Sequence, residues 1–544
     1  MRKKSISIIM FLLILFSGSL YSQTCPSGNI SFSRQTQVDS FPILYPNCTN
    51  LPANLKLSGD IVNLDSLIQI DTIFGGLESI GSTRLKNFKG LNTLKHFGAL
   101  TVVNNDSLWD FKGLEGVKKL SYVQISGNPA LRNLRGLDSI KEVISIYLLN
   151  NTKLDSIVGL GGLNDIWNIF QIIGNSSLRS LIGMQNVLIE SLHIVDNDSL
   201  WDLEGLENNI NFSRSLSISG NDGLRNLHGA ENFKWIPGAL QINANSKIKN
   251  LNEFLGLQYV GEGLSIAGNA SLVSLSGLDS LTKVVYGVSI SDNDRLKELK
   301  GLENLDTITV SLSIRKNDSL ISVLALSNLK HIGNSLDIFE NKQIPNLNGL
   351  ENLGRIADLT IRKNKKLNSL WALRGLSNIN GELRISENDS LSSLRGLDSA
   401  DLSTATDVFI YDSPSLQVCA VQSVCDYLAS GRIAYILNNA PGCIDTSEVL
   451  LNCQSIGVEE EQIAVGIDVF PNPIQNELNV DFGESIQFPA SIEIYSNTGQ
   501  LLFRKSNITQ TQIKLEGLNL SKGVYSLKIG TNHSGPIIKN IIKI

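Results

Sequence analysis

Side chains able to do chemistry are scarce in this chain. Its six cysteines are Cys25, Cys48, Cys419, Cys425, Cys443 and Cys453, and it has five histidines in 544 residues. An even cysteine count, clustered at two places, reads as disulfides if the chain reaches an oxidising compartment. Cys25 and Cys48 stand alone near the start and are expected to pair; the other four allow three pairings, among which sequence cannot choose. Zinc is not expected, because neither a Cys-x-x-Cys nor a nearby His accompanies them. Asp recurs at Asp106, Asp198, Asp222, Asp294, Asp318 and Asp389, but Pro129, Ser246, Lys342 and Lys365 interrupt the series. Turn formation accounts for that pattern better than stacked calcium sites. His96, His193, His228 and His331 do not share one column, and spacing yields no Ser-His-Asp or paired-carboxylate arrangement. No catalytic residue, metal or cofactor is therefore expected. Two tryptophans remain. Trp109 and Trp201 hold equal places in "NDSLWDFKGLEG" and "NDSLWDLEGLEN". Exposed, they would be stacking platforms for a sugar or anchors for a protein; packed over a neighbouring turn, they would be structural.

A repeat must position these residues. The fragment I-x-x-N-x-x-L recurs with its Asn at Asn105, Asn128, Asn151, Asn175, Asn197, Asn221, Asn245, Asn269, Asn293, Asn317, Asn341, Asn364 and Asn388, at spacings of 22 to 24 residues. Ser413 continues the series, and Ser82 and Ser58 extend it backward. Three residues before each Asn the side chain is always apolar, from Val102 to Ile385, and so it is two residues earlier, as at Leu100, Leu216 and Leu383. Such alternation marks a short strand with one buried face. Gly stands eight residues past the Asn at Gly113, Gly136, Gly159, Gly183, Gly205, Gly229, Gly277, Gly301, Gly349 and Gly396, which fits a corner needing positive φ or close backbone approach. Glu253, Ala325 and Ala372 break that column.

No single unit can bury its own apolar row, but stacked units share a continuous interior. The expected fold is all-β: a right-handed β-helix-like solenoid of about 16 turns of 22–25 residues, followed by a small C-terminal β-sandwich. At roughly 4.8 Å per turn the solenoid should be on the order of 70 Å long. The Asn side chains are expected to point inward and satisfy backbone groups or one another. Six of them (Asn105, Asn175, Asn197, Asn269, Asn317 and Asn388) read Asn-x-Ser like glycosylation acceptors, which the repeat consensus "NDSL" explains better. Just before the Asn, Lys316, Glu340, Lys363 and Glu387 alternate in charge and should pair across strands.

Residues 1–22 have a basic start, an apolar run from Ile6 to Phe16 and small residues through Ser22. This is a secretory signal peptide, the run being too short to span a bilayer. Residues 23–54 form an N-terminal disulfide cap, 55–416 the solenoid, 417–454 a Cys-containing C-terminal cap, 455–465 a linker and 466–544 a separate β domain with alternating strands. With 46 Lys plus Arg against 52 Asp plus Glu, the net charge of -6 argues against a nucleic-acid partner. No membrane span is expected in the mature chain.

The turns resemble leucine-rich repeats, and more closely the receptor L-domain of the epidermal-growth-factor and insulin receptors, as in "LSISGNDGLRNLHGA" and "LSIAGNASLVSLSGL". Far more turns are present than in one receptor domain, so growth-factor binding is not carried over. The segments "VFPNP", "IEIYSNTGQLL", "LNLSKGVYSLKI" and "KNIIKI" resemble the type A sorting domain of the type IX secretion system, with Val469, Pro471, Asn472, Pro473, Gly499, Gly523 and Tyr525 on its motif positions. That resemblance implies the type IX machinery as a partner, passage through the periplasm, and release or attachment at the outer-membrane surface. The expected function is non-enzymatic binding or adhesion to a surface protein or glycan. A carbohydrate-active β-helix enzyme, such as a polysaccharide lyase, is the alternative.

Overall fold

A computed structural model describes residues 25–185, 187–208, 213–454, 468–470, 477–482, 489–496, 500–531 and 537–543. The expected signal peptide, the expected 455–465 linker and the motif residues Pro471, Asn472, Pro473 and Gly499 lie outside them. The chain divides into two compact units, Met1–Leu450 and Leu451–Ile544.

The first unit is a parallel β-solenoid. Eighteen strands, from Ile30–Phe32 to Ala434–Leu437, form one sheet in which each strand pairs with those of the preceding and following turns. At roughly 4.8 Å per step the sheet extends about 80 Å along its stacking direction. Register keeps like on like: Leu216, Leu240, Leu264, Val288 and Leu312 stack in one inward row and Ile218, Ile242, Ile266, Ile290 and Ile314 in another. A one-residue slip would turn both rows outward, so the alternating pattern holds the register. The far wall is made of two-residue strands such as Trp235–Ile236, Tyr259–Val260 and Lys283–Val284. Between the walls every third residue is buried, as in Asn105, Leu108, Phe111, Leu114 and Val117. The two residues after each buried one are thereby left to face outward or to form the turn.

Each strand ends in a left-handed residue immediately before the Asn. Gly occupies that place at Gly127, Gly174, Gly220 and Gly268, but Asn104, Asp196, Ala244, Lys316, Glu340, Lys363 and Glu387 take it with φ of 50 to 57°. This geometry corrects the expected charge ladder: only Lys363 and Glu387 meet, at 3.5 Å, among the described residues of that column. The left-handed turn swings these side chains off the strand line, so alternate charges do not line up as in a regular sheet.

The next residue, the ladder Asn, is buried in all thirteen turns. Asn245 shows the pattern. Its Nδ2 donates to the Ile218 carbonyl at 2.8 Å and to the Asn269 Oδ1 at 3.4 Å, while its Oδ1 accepts the Asn221 backbone N–H and Nδ2, both at 3.2 Å. Every rung points the same way along the stack. At one end Ser82 and Ser79 donate to the Asn105 Oδ1. At the other, Asn388 donates to the Ser413 Oγ, and Ser413 donates to Asn439 at 3.0 Å. Ser58 is not a rung. A register shift after Leu57 sets Gly59, not Ser58, opposite the rung residue Ser82. The six Asn-x-Ser asparagines are fully buried rungs.

The glycine corner meets both conditions at once. Gly136 has φ of 106°, and a Cβ there would lie 2.1 Å from the Phe111 carbonyl oxygen of the preceding turn. Turns lacking this Gly solve the corner differently. Glu253, Ala325 and Ala372 each sit in a three-residue 3-10 helix, Asn252–Phe254, Leu324–Leu326 and Trp371–Leu373, whose right-handed backbone suits L residues.

At the start, helix Gln35–Leu44 follows the first strand, and Cys25 bonds Cys48 with Cα atoms 4.8 Å apart. At the end, Cys419 bonds Cys443, and Cys425 and Cys453 are also disulfide-bonded. Strand Ala434–Leu437 adds a further solenoid rung within 417–454. The second unit has two antiparallel sheets. One joins Asp468–Phe470, Glu477–Asp481 and Gln512–Glu516; the other orders Leu501–Ile508, Ala490–Ser496, Gly523–Thr531 and Ile537–Lys543. Leu478, Val480 and Leu515 from one and Ile492, Ile494, Leu527 and Ile529 from the other share a single core.

Candidate functional site

Trp109 and Trp201 stand four residues past their ladder Asn, directly after a buried Leu, and the period-three burial turns both outward. They are 56% and 59% exposed, so neither is packed away as a structural residue. Their surroundings differ despite the matching sequence. Trp109 is joined through the backbone to Lys86 on one side, its N–H donating at 2.9 Å, and to Arg132 on the other, whose N–H donates to it at 3.3 Å. Lys112, three residues on and on the same outward face, completes that turn. Around Trp201 the equivalent of Lys112 is Glu204, and the Arg225 guanidinium lies over the indole at 5.5 Å from its centre. One face of the Trp201 ring is thus already engaged. The next turn carries His228, whose Nδ1 is 2.7 Å from Glu231. That hydrogen bond, aided by the charges of Glu231, Asp202 and Glu207, holds His228 above the ordinary histidine value.

Sequence reasoning missed a second surface feature, on the outward face of the large sheet. Arg315, Ser335, Asp337, Phe339, Thr360 and Arg362 line a shallow groove of about 460 Å³. Beyond it Arg384 lies 4.1 Å over the Phe409 ring, which stacks on Tyr435 at 5.0 Å. The signal was available in the outward positions two and four residues before each Asn, which are small or polar over turns 217 to 313 and become Arg and aromatic afterwards. Its cations are paired internally: Arg315 with Asp337, Arg362 with Glu387 at 3.1 Å, and Arg384 with Glu382 at 2.5 Å. A groove so neutralised reads as a structural seam. Among the described residues no three His, Cys, Asp or Glu side chains gather to hold a metal ion.

In the second unit the Tyr525 hydroxyl donates to the Ser521 carbonyl at 2.6 Å, its ring being buried in the shared core against which Val469 packs. Gly523 opens the same strand. Residues 468–543 match the Secretion system C-terminal sorting domain. The sorting domain implies export through the type IX system, with a secreted or outer-membrane surface location and contact with the type IX machinery. No helix among the described residues is long and apolar enough to cross a membrane. No curated protein matches the chain in sequence.

Proposed function

We propose that this chain is a non-enzymatic binding or adhesion protein that the type IX system places outside the cell, with an L-domain-like solenoid recognising a surface protein or glycan. The observation that carries this reading is the exposed Trp109 on a regular outward column, in a molecule that ends in the sorting domain. A half-exposed indole is costly to leave in water, and a rigid parallel stack holds it in one place for a partner. The likeness of the turns to the receptor L-domain supports a recognition role.

The test is a binding screen of the mature protein against glycan arrays and isolated surface proteins, repeated with Trp109→Ala and Trp201→Ala. Binding that falls with Trp109→Ala is the expected result. Turnover of a polysaccharide by the purified protein, abolished by one acidic substitution, would show a carbohydrate-active enzyme instead. Export is separable: deleting residues 466–544 should leave the protein in the periplasm, and its unchanged appearance outside would refute the sorting role.

A further inference from the structure

Trp109 lies within a largely unpaired cationic field. Two outward columns run along this face, four and seven residues past the ladder position. In three successive turns they hold Lys86 and Lys89, then Trp109 and Lys112, then Arg132 and Arg135, all exposed. Backbone hydrogen bonds tie these turns side by side: Trp109 to Lys86 and Arg132, Phe88 to Lys112 at 2.8 Å, and Phe111 to Arg135 at 2.7 Å. The carboxylates nearby are occupied elsewhere. Glu115 accepts the Gly113 N–H at 2.8 Å and Asp138 the Gly136 N–H at 2.7 Å. Asp110 alone reaches a cation of the group, Lys112, at 3.4 Å. Lys86, Lys89, Arg132 and Arg135 have no carboxylate partner among the described residues. The next turn carries Asp155 and Val158 in the same columns, and the field ends there.

We infer that this face binds an anionic polysaccharide, one bearing carboxylate or sulfate groups along its chain. This inference rests on the binding role proposed above and names its ligand class. Cations repeat with the turn spacing of roughly 4.8 Å, so a linear polymer with regularly spaced anions meets them in series. Trp109 stands in the middle with its ring open to stack on the apolar face of a sugar. A single-stranded nucleic acid would call for successive aromatic platforms, one per base, and only one aromatic lies in this field. The groove near Phe339 lacks this character, because its arginines already hold carboxylates.

The mature protein is titrated with a polyuronate, a sulfated dextran, neutral dextran and single-stranded DNA at two salt concentrations. The polyuronate or the sulfated dextran should bind, more weakly at high salt, with neutral dextran silent and DNA weaker; which of the two binds tells carboxylate from sulfate. Arg132→Glu with Arg135→Glu should cost about tenfold or more in affinity, and Trp109→Ala about fivefold. Arg179→Glu with Arg225→Glu, around Trp201, should leave binding unchanged. These residues are exposed, and an unaltered thermal melt confirms folding. Neutral dextran binding equally, DNA binding more tightly, or the Arg132/Arg135 variant binding like the parent would overturn the inference. Binding to a neutral glycan or a protein that ignores the Arg132/Arg135 change would sink it while leaving the broader recognition role intact.

Discussion

Replacing Asn245 by Ala removes one rung from the middle of the ladder. The Asn221 backbone N–H loses its acceptor, and the Ile218 carbonyl loses the 2.8 Å amide bond that closes it. The 3.0 Å bond to the Asn243 carbonyl goes too, as do the contacts to Asn221 Nδ2 and Asn269 Oδ1, although each of those last two atoms keeps another partner. One buried orphaned donor costs about 1–3 kcal/mol and each lost hydrogen bond about 0.5–1.5 kcal/mol net, so about 3 kcal/mol or more is expected in all. In a stack whose turns touch only their neighbours, that loss should stay local. Urea unfolding followed by circular dichroism measures the total, and amide exchange maps it. Protection should fall across the turns containing Asn221, Asn245 and Asn269 and persist near Ile125 and Ile361. Lys247→Ala, two residues away and exposed, is the control. A loss below about 1 kcal/mol, or one spread evenly over the array, would refute the idea that the amides hold the turns together. Asn245→Asp adds a second reading. A fully buried carboxylate has its pKa raised, so its destabilisation should grow as pH rises above about 4.

Other positions test other parts of the design. Gly136→Ala forces a Cβ against the Phe111 carbonyl at positive φ and should cost about 3–5 kcal/mol in thermal or urea unfolding, whereas Gly431→Ala, at φ of 80° with open space around it, should cost only about 1–2 kcal/mol. Ala244, left-handed at φ of 54°, should gain about 0.5–1 kcal/mol on change to Gly, since relief of backbone strain exceeds the added freedom of the unfolded chain. His228 should titrate above about 6.5, the ordinary histidine value. The stabilisation it draws from Glu231 is therefore present below that value and lost as pH rises through the folded one; a proton NMR titration in which Glu231→Gln leaves the His228 midpoint unmoved would contradict this.

Much of the solenoid is legible in the sequence because a stacked fold repeats its physics. An inward Ile or an amide rung must recur in every turn, so thirteen asparagines and ten glycines mark their own geometry. What escapes notice is what breaks the repeat. Asn439 continues the ladder and follows Ile436 at the usual distance, but its third successor is Gly442 instead of Leu, and the neighbouring cysteines draw the eye to a cap. The 3-10 corners are hidden because a missing glycine looks like tolerance, whereas the backbone has changed hand. The cationic face shows a different limit. Trp109 and Trp201 match within their own segments, and only the adjacent turns, brought alongside by the sheet, separate a ring amid mostly unpaired cations from one with the Arg225 guanidinium over a face. Lateral neighbours about 23 residues apart emerge only when the turns are set side by side and each outward column is read along the stack.

The ladder also bears on how such a molecule can change over generations. Each rung donates to the next in the same way and offers the one before it the same acceptor, so the stack has no preferred length. Gain or loss of a whole turn leaves every remaining junction chemically unchanged, while gain or loss of a fraction of a turn strands an amide at the break. Duplication in units of one or a few turns is thus the cheapest route to a longer array, and the matching Trp109 and Trp201 segments, four turns apart, have the form such copying would leave. A copied turn keeps its interior and is free to vary outside, as Lys112 and Glu204 already do.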